Sequence, residues 1–542
     1  MKKTALGLFL ALTICSCNMK DQADLIIYNG DIYTVDSAFT KCSAVAVKDG
    51  IIMATGTDDE ILNTWRSARM VDLEGKPMYP GFNDAHAHIT GLGLGLMRVD
   101  LRGAKSFDEI IERLVQRQKE RPMEVIQGDG WDQNLWEDKT FPDNTKLNEL
   151  FPETPVILSR IDFHAVIVND AAIRRLGTTP VRPSILPGEA LMKNGKFQGV
   201  FLENTADSFK KIVPEPDSDG IREMLLAAQA ECFKYGLTSV SHAGEELRTI
   251  EVIDSMQGEG KLKLRLDVWL TPGEANFARF TKPYKNGRLN ISAIKMYVDG
   301  ALGSRGALMT EPYSDMPGTS GIYVTSPQIL ESNAKWAFEH GFQVATHCIG
   351  DEANREALRI YSKFLPEGND LRWRIEHAQI IHPSDMHMFA KYGIIPSIQP
   401  THATSDMLWA DERVGGRIKN AYPYKELLNQ LGWLPSGTDF PIEHVSPIYT
   451  FFAAVHRTNL DYVPQEGFQM ENALSPEEAL RSMTIWAAKA SFEEKLKGSI
   501  EKGKFADFVV LDADIMTAKR EEVPGIKILR TFVGGEEVFK AE

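Results

Sequence analysis

From residue 221 to residue 439 the chain repeats one unit: a short apolar run, a turn, then a segment with apolar residues at helical spacing. Strands are expected at Leu237–Ser241, Lys263–Leu270, Ile291–Val298, Phe342–His347, Leu371–His377, Ile394–Gln399 and Trp433–Asp439. Helical segments fall between most of them: Ile221–Tyr235 before Leu237, then Gln328–His340, Glu352–Phe364, Pro383–Tyr392 and Tyr424–Leu431. A further strand is expected at His86, which makes eight. Parallel strands need long crossovers, usually helices. Eight such units close into an α/β (β/α)8 TIM barrel, with its chemistry at the carboxyl ends of the strands.

The side chains at those ends are the wrong kind for packing. Pro80-Gly81-Phe82-Asn83-Asp84-Ala85-His86-Ala87-His88-Ile89 reads as a buried strand ending in two imidazoles. Residues two apart on a strand share a face, so His86 and His88 form half of a zinc-class site. Lys295 lies inside the fourth strand, where a lone charge is costly. Its ordinary role there is an inward ion pair. His347 ends the fifth strand, His377 the sixth and Asp439 the eighth. Each alone could pack or cap, but six such groups at strand exits argue for a shared centre.

Other residues are weaker candidates for contact with a substrate. His242 ends the second strand. Trp131, Asp132 and His164 lie in residues 123–215, an irregular stretch read as an insertion after the first barrel strand, with a hairpin around Asn194-Gly195. Arg305 follows the fourth strand, and His402 lies just past the seventh. Cys348 adjoins His347 and should face the helix layer instead. The other histidines sit near helix ends, where solvation is the default. Gly91-Leu92-Gly93-Leu94-Gly95 lacks dinucleotide spacing and reads as a mobile loop.

Both ends of the chain are strand-rich. Asp49-Gly50 and Gly534-Gly535 each sit between two strand-like runs, a hairpin signature. A small β-sandwich from residues 23–80 and 491–542 is expected, around a barrel over 81–490. Pro476–Lys489 reads as one helix leading back to it. Residues 1–17 read as a secretory signal: Lys2 and Lys3, an apolar run from Ala5 to Ile14, then Ser16-Cys17. Ile14-Cys15-Ser16-Cys17 resembles a bacterial lipobox, which predicts export and a lipid anchor on Cys17, periplasmic or at the cell surface. The five cysteines have no metal-finger or disulfide spacing. A formal net charge of −15 argues against nucleic acid or anionic lipid as a partner, leaving a small-molecule substrate, with a homo-oligomer open.

The chain resembles the metal-dependent amidohydrolase superfamily, and within it the amidohydrolase-3 branch that includes N-substituted formamide deformylase. The motifs that carry this are Gly81–His88, Gly128-Asp129-Gly130-Trp131-Asp132, Asp299–Arg305, His347–Asp351, Gly437–Pro441 and Gly498–Asp507. The resemblance implies that His86 and His88 bind an inner divalent metal, most simply zinc, together with Asp439. Lys295, carboxylated by CO2, would bridge to a second ion on His347 and His377. Without that modification a single-metal site remains, with His347 and His377 shared between metal binding and water orientation. The implied reaction is hydrolysis of a non-peptide, amide-type C–N bond by metal-activated hydroxide, with Asp439 carrying the proton to the leaving amine. Deamination or ester hydrolysis on the same scaffold is the alternative, and a non-catalytic solute-binding lipoprotein is a rival of another class.

Overall fold

The computed structural model describes residues 20–161, 165–177, 190–193, 196–210 and 212–542. The predicted leader with Cys17, His164 and the Asn194-Gly195 turn lie outside the described residues.

The central sheet is a barrel of seven parallel strands in sequence order: β1 Phe82–Ala87, β2 Leu237–Glu245, β3 Arg265–Leu270, β4 Leu289–Tyr297, β5 Gln343–Cys348, β6 Arg374–His377 and β7 Ile395–Ser397. The expected eighth strand is present as an irregular segment. Ser436 pairs in parallel with Ile398, while Ala85 N donates to Ser436 O at 3.2 Å and Asp439 N to His86 O at 2.8 Å. The segment thus bonds to both neighbours and closes the ring. It cannot form a regular ladder, because Pro435 has no N–H and the chain runs unusually close to β1. A Cβ on Gly437 would lie 2.5 Å from His86 N.

Alternation along the strands sorts the core. Val240, Val268, Ile294, Val344 and Ile375 pack toward the helices. Ala243, Trp269, Ala293 and Ala345 form a separate cluster inside the barrel. The predicted helix at Pro476–Lys489 is two, Pro476–Ser482 and Ile485–Ala490. At the break, Ser482 O accepts from Ser436 N and Met483 O from Asn83 N, so these carbonyls hold the barrel floor instead of continuing the helix.

Both termini build two packed sheets. One holds Glu536–Lys540, Ile528–Val533, Phe508–Leu511, Pro77–Pro80, Asp31–Tyr33 and Lys41–Cys42; the other Ile51–Gly56, Ala44–Lys48, Leu25–Tyr28 and Met70–Asp72. Leu25, Val45, Met78, Phe508 and Phe532 fill the space between them. Asp49 and Gly50 have φ of 52° and 75°, and Gly534 and Gly535 58° and 74°, as tight hairpin turns require. Only Gly81 separates Pro77–Pro80 from β1, so the sandwich delivers the first barrel strand directly.

Two readings of the sequence need correction. Gly91–Gly95 is not a loop but part of a helix, Ile89–Met97. Its glycine serves close approach: a Cβ on Gly93 would meet Met224 O at 2.4 Å, on helix Ser218–Lys234. The inserted layer also starts earlier than residue 123. Its sheet runs Val99–Asp100, Ile126–Trp131, Val156–Arg160, Ala165–Val168, Lys196–Leu202, Ala190–Lys193. Helix Phe107–Glu120 packs into this layer through Ile110, Ile111 and Leu114, against Ile126 and Leu158. Helical spacing over residues 107–121 gives this segment an apolar face, and the fold decides that the inserted sheet covers it.

Sandwich and barrel are locked by a buried pair. Arg265 of β3 makes a two-bonded contact with Asp507, at 2.6 Å and 3.0 Å, and stacks over Phe505. Asp507 also accepts from Gly534 N at 2.8 Å. Removing one partner strands a buried charge. Asp507→Ala is therefore expected to lower unfolding stability by about 3–5 kcal/mol, read as a shifted denaturant midpoint; an unchanged midpoint would contradict this account of the junction.

Candidate metal centre

His86 and His88 leave β1 on one side, as their spacing predicts. Asp439 reaches them because its segment hydrogen-bonds to β1 on both sides of it, with Asp439 N on His86 O and His88 N on Phe440 O, both at 2.8 Å. Asp84 tightens the same seam. Its carboxylate accepts from Thr438 Oγ1 at 2.6 Å, Thr438 N at 3.1 Å and His86 N at 3.0 Å. Burial pushes the Asp84 carboxyl up to about 7, with those bonds pulling against it.

Arg374 and Glu376 face the barrel interior, so plain alternation would send His377 outward. The backbone prevents this: His377 has φ of 71°, and Asp439 has 61°. Non-glycine residues rarely take such values, at a cost on the order of 1–3 kcal/mol each. Here the strained backbone swings both side chains into the mouth.

The predicted residues converge. His88 Nε2 lies 3.2 Å from Asp439 Oδ1, and His86 Nε2 lies 3.5 Å from it. Lys295 Nζ is 3.1 Å from His86 Nε2. The His377 ring centroid lies 4.4 Å from that of His347, 5.1 Å from His86 and 5.5 Å from His402. His86, His377 and Asp439 each offer a ligand atom, all within 4.8 Å of one another. His402 completes the ring, with Nε2 at 3.7 Å from Asp439 Oδ2.

The donor set suits a cation. Among the described residues, His347 Nε2, His377 Nδ1 and His402 Nε2 are buried with no hydrogen-bond partner. Burial, then the Lys295 charge, hold His86 far below the usual imidazole value and His347 at about 3. Burial and neighbouring imidazoles do the same to His377. These rings are neutral and offer lone pairs. Burial alone would raise the Asp439 carboxyl, but His86, His88 and His402 outweigh it and hold Asp439 below the ordinary carboxylate range. Burial lowers Lys295 to about 8. Gly244 leaves room beside it: a Cβ there would lie 3.2 Å from Lys295 Cγ.

A supporting layer was not foreseen. His86 Nδ1 donates to Glu376 Oε2 at 2.5 Å, which fixes the tautomer and turns Nε2 toward the centre. Arg374 grips Glu376 through two nitrogens and also donates to Ala85 O at 2.8 Å and Ser397 Oγ at 2.6 Å. His86, Glu376, Arg374 and Ser397 are all fully buried. The signal in the sequence was Arg374-Ile375-Glu376, two charges on one face of a buried strand. Asp299 holds the next level: its carboxylate accepts from Leu308 N, Ile349 N and Gly350 N at 2.8–3.0 Å and lies 3.7 Å from His347 Nε2.

Several substrate candidates are occupied elsewhere. Trp131 lies in the core of the inserted layer, donating to Leu158 O at 2.8 Å, because the strand that carries it is buried on that side. Asp132 pairs with Arg160 at 3.2 Å. Arg305 donates through Nε and Nη2 to Asp315, at 3.1 Å and 2.6 Å. His242 Nε2 bonds to Glu245 at 2.8 Å, while its Nδ1 is buried without a partner among the described residues. Cys348 is buried in the helix-side core, as expected.

The sequence profile of the amidohydrolase family matches residues 69–539. YtcJ of Bacillus subtilis (strain 168) is 30% identical over 531 residues, covering 95% of this chain and 99% of that one. N-substituted formamide deformylase of Arthrobacter pascens is 27% identical, covering 95% and 98%. The crystal structure of an uncharacterized metal-dependent hydrolase from Pyrococcus horikoshii OT3 aligns with a TM-score of 0.75 at 30% identity, covering 92% of this chain and 99% of that one.

Outer partners of metal-binding histidines typically tune affinity by about 10–100-fold. Glu376→Gln keeps the size of the side chain but removes the charge that polarises His86. It is expected to weaken divalent-ion binding by about that factor in a competition titration with a chromophoric chelator; unaltered affinity would remove Glu376 from the centre.

Proposed function

Since the chain belongs to the amidohydrolase family, we propose that its hydrolase chemistry is directed at a non-peptide, amide-type C–N bond of a small molecule and uses zinc as its divalent ion. The ligands are His86, His88, His347, His377 and Asp439, joined by Lys295 if its amine takes up CO2. One observation carries the reading. His86, His377 and Asp439 each offer a ligand atom within 4.8 Å of one another, His88 lies against Asp439 and His347 against His377, and His347 and His377 keep buried, unpaired ring nitrogens. The similarity to N-substituted formamide deformylase supports the bond class.

A divalent ion there would lower the pKa of water toward neutrality and polarise a carbonyl. The protein's own groups do the rest. Asp439, kept ionised, accepts the proton of the attacking water and returns it to the leaving nitrogen. Its strained φ aims the carboxylate at that path. Glu376 and Arg374 keep His86 neutral at Nε2. His402, whose Nε2 lies 3.7 Å from Asp439, would meet charge that develops on the substrate. Lys295, lowered to about 8 by burial, has a share of free amine near neutral pH, the form that reacts with CO2.

Asp439→Asn is expected to keep most of the bound metal while lowering kcat by about 10²–10⁴-fold, measured on a panel of N-substituted formamides and other amides with acid and ammonia release scored separately. Unchanged turnover would take Asp439 out of the mechanism. Ammonia as the first product would favour a deaminase.

We also propose that the chain is exported and held at a bacterial membrane by lipid on Cys17. The lipobox-like Ile14–Cys17 supports this. Cys17→Ala is expected to move the protein from the membrane fraction to the soluble fraction; continued sedimentation with membranes would defeat the anchor.

A further inference from the structure

Gln399 is a buried amide for which the described protein offers no partner. Its side chain is 1% exposed, and neither Nε2 nor Oε1 makes a hydrogen bond within the described residues. Among the described residues, no other buried side-chain amide has both atoms unpaired. The backbone beneath it is well held: Gln399 O accepts from Tyr424 OH at 3.0 Å and from His402 N at 3.1 Å. A rigid main chain with an unpaired side-chain amide is an unusual pairing, since buried polar groups are nearly always satisfied.

Its place in the fold indicates what the amide is for. Ser397 of β7 faces the barrel interior, where its hydroxyl meets Arg374. Ile398 faces the helix-side core. Gln399 continues in extended backbone, φ −122° and ψ 92°, so alternation returns its side chain to the interior, one step nearer the mouth than Ser397. The strand on one side ends in His377. On the other side Gly437 N donates to Ile398 O at 3.0 Å, two residues before Asp439. Unsatisfied atoms gather here. Thr401 Oγ1 and His402 Nε2, within three residues, are also buried without partners.

We infer that Gln399 is a substrate-binding residue that pairs edge to edge with a cis-amide unit of the substrate: a primary carboxamide, a lactam or a ureide. The chemistry selects this class. A side-chain amide presents a donor and an acceptor side by side. A carboxylate would satisfy Nε2 but set oxygen against Oε1, and a hydroxyl would satisfy one atom only. A cis-amide edge offers N–H and C=O together and satisfies both. A site built this way rejects analogues that leave one buried atom unpaired. The inference rests on the hydrolase reading, since it places a substrate in the barrel mouth.

The test uses full-length, metal-loaded protein and two probes: 3,4-dihydro-2-quinolinone, a lactam with a free N–H, and its N-methyl derivative. Calorimetry is expected to show the N–H lactam binding at least about tenfold more tightly, the effect of one buried hydrogen bond. Gln399→Met, similar in size and apolar, is expected to bind both alike with its metal content and melting temperature unchanged. The inference is overturned if the wild type binds the two probes equally, binds neither, or if Gln399→Met keeps the preference. The wild-type comparison decides the matter even should the variant fail to fold. Failure of the hydrolase reading would show separately, as no cleavage of any amide by the metal-loaded protein.

Discussion

The Asp84 carboxylate joins Thr438, through its N–H and hydroxyl, to the His86 N–H, and by doing so sets the distance between the two ends of the barrel. Seven strands form ordinary ladders; the eighth position does not. Without a ladder, closure depends on a few bonds: Asp84 to Thr438, Ser436 to Ala85 and Ile398, Asp439 to His86. Buried hydrogen bonds contribute about 0.5–1.5 kcal/mol each, together enough to define a seam that pleating alone would leave loose. The same seam is the axis of the site, since His86, His88 and Asp439 all lie on it. Stability at closure and geometry at the centre are therefore one problem for this protein.

The barrel interior is correspondingly polar. Barrels of this type usually fill their centres with branched apolar side chains. Here Trp269 and three alanines make one small apolar cluster; near it lie Arg374, Glu376, His86 and Lys295. Buried charges are costly unless paired. Arg374 and Glu376 pair with each other, and Arg374 also ties Ala85 to Ser397, across the seam between the first strand and the seventh. The arrangement transfers order from the barrel wall to one imidazole nitrogen. It also explains how neutral histidines persist beside a lysine: desolvation works on every member, lowering the imidazoles and the amine together.

Much of this was legible in the chain. Asp49-Gly50 and Gly534-Gly535 announce their hairpins through local backbone chemistry, and the strand exits at His347 and His377 follow from periodicity. What escaped was whatever depends on a distant partner. Asp84 stood in a motif already singled out and Glu376 in an expected strand, but their roles need Arg374, His86 and Thr438 to be folded around them. Gly91–Gly95 looked flexible because glycine count is local, while the close crossing by Met224 is not. Helical periodicity over residues 107–121 marks a helix, but that the inserted sheet covers its apolar face depends on the fold. Trp131, a natural substrate wall by position, is consumed by the inserted layer's own core.

The central claim is that side chains from four separate strand exits exist to hold a cation. Its most direct test is anomalous X-ray diffraction at the zinc absorption edge, on crystals of protein purified without added metal. The account predicts one or two strong peaks within bonding distance of His86, His88, His347, His377 and Asp439. A mouth with no anomalous signal, or peaks confined to the surface, would contradict it.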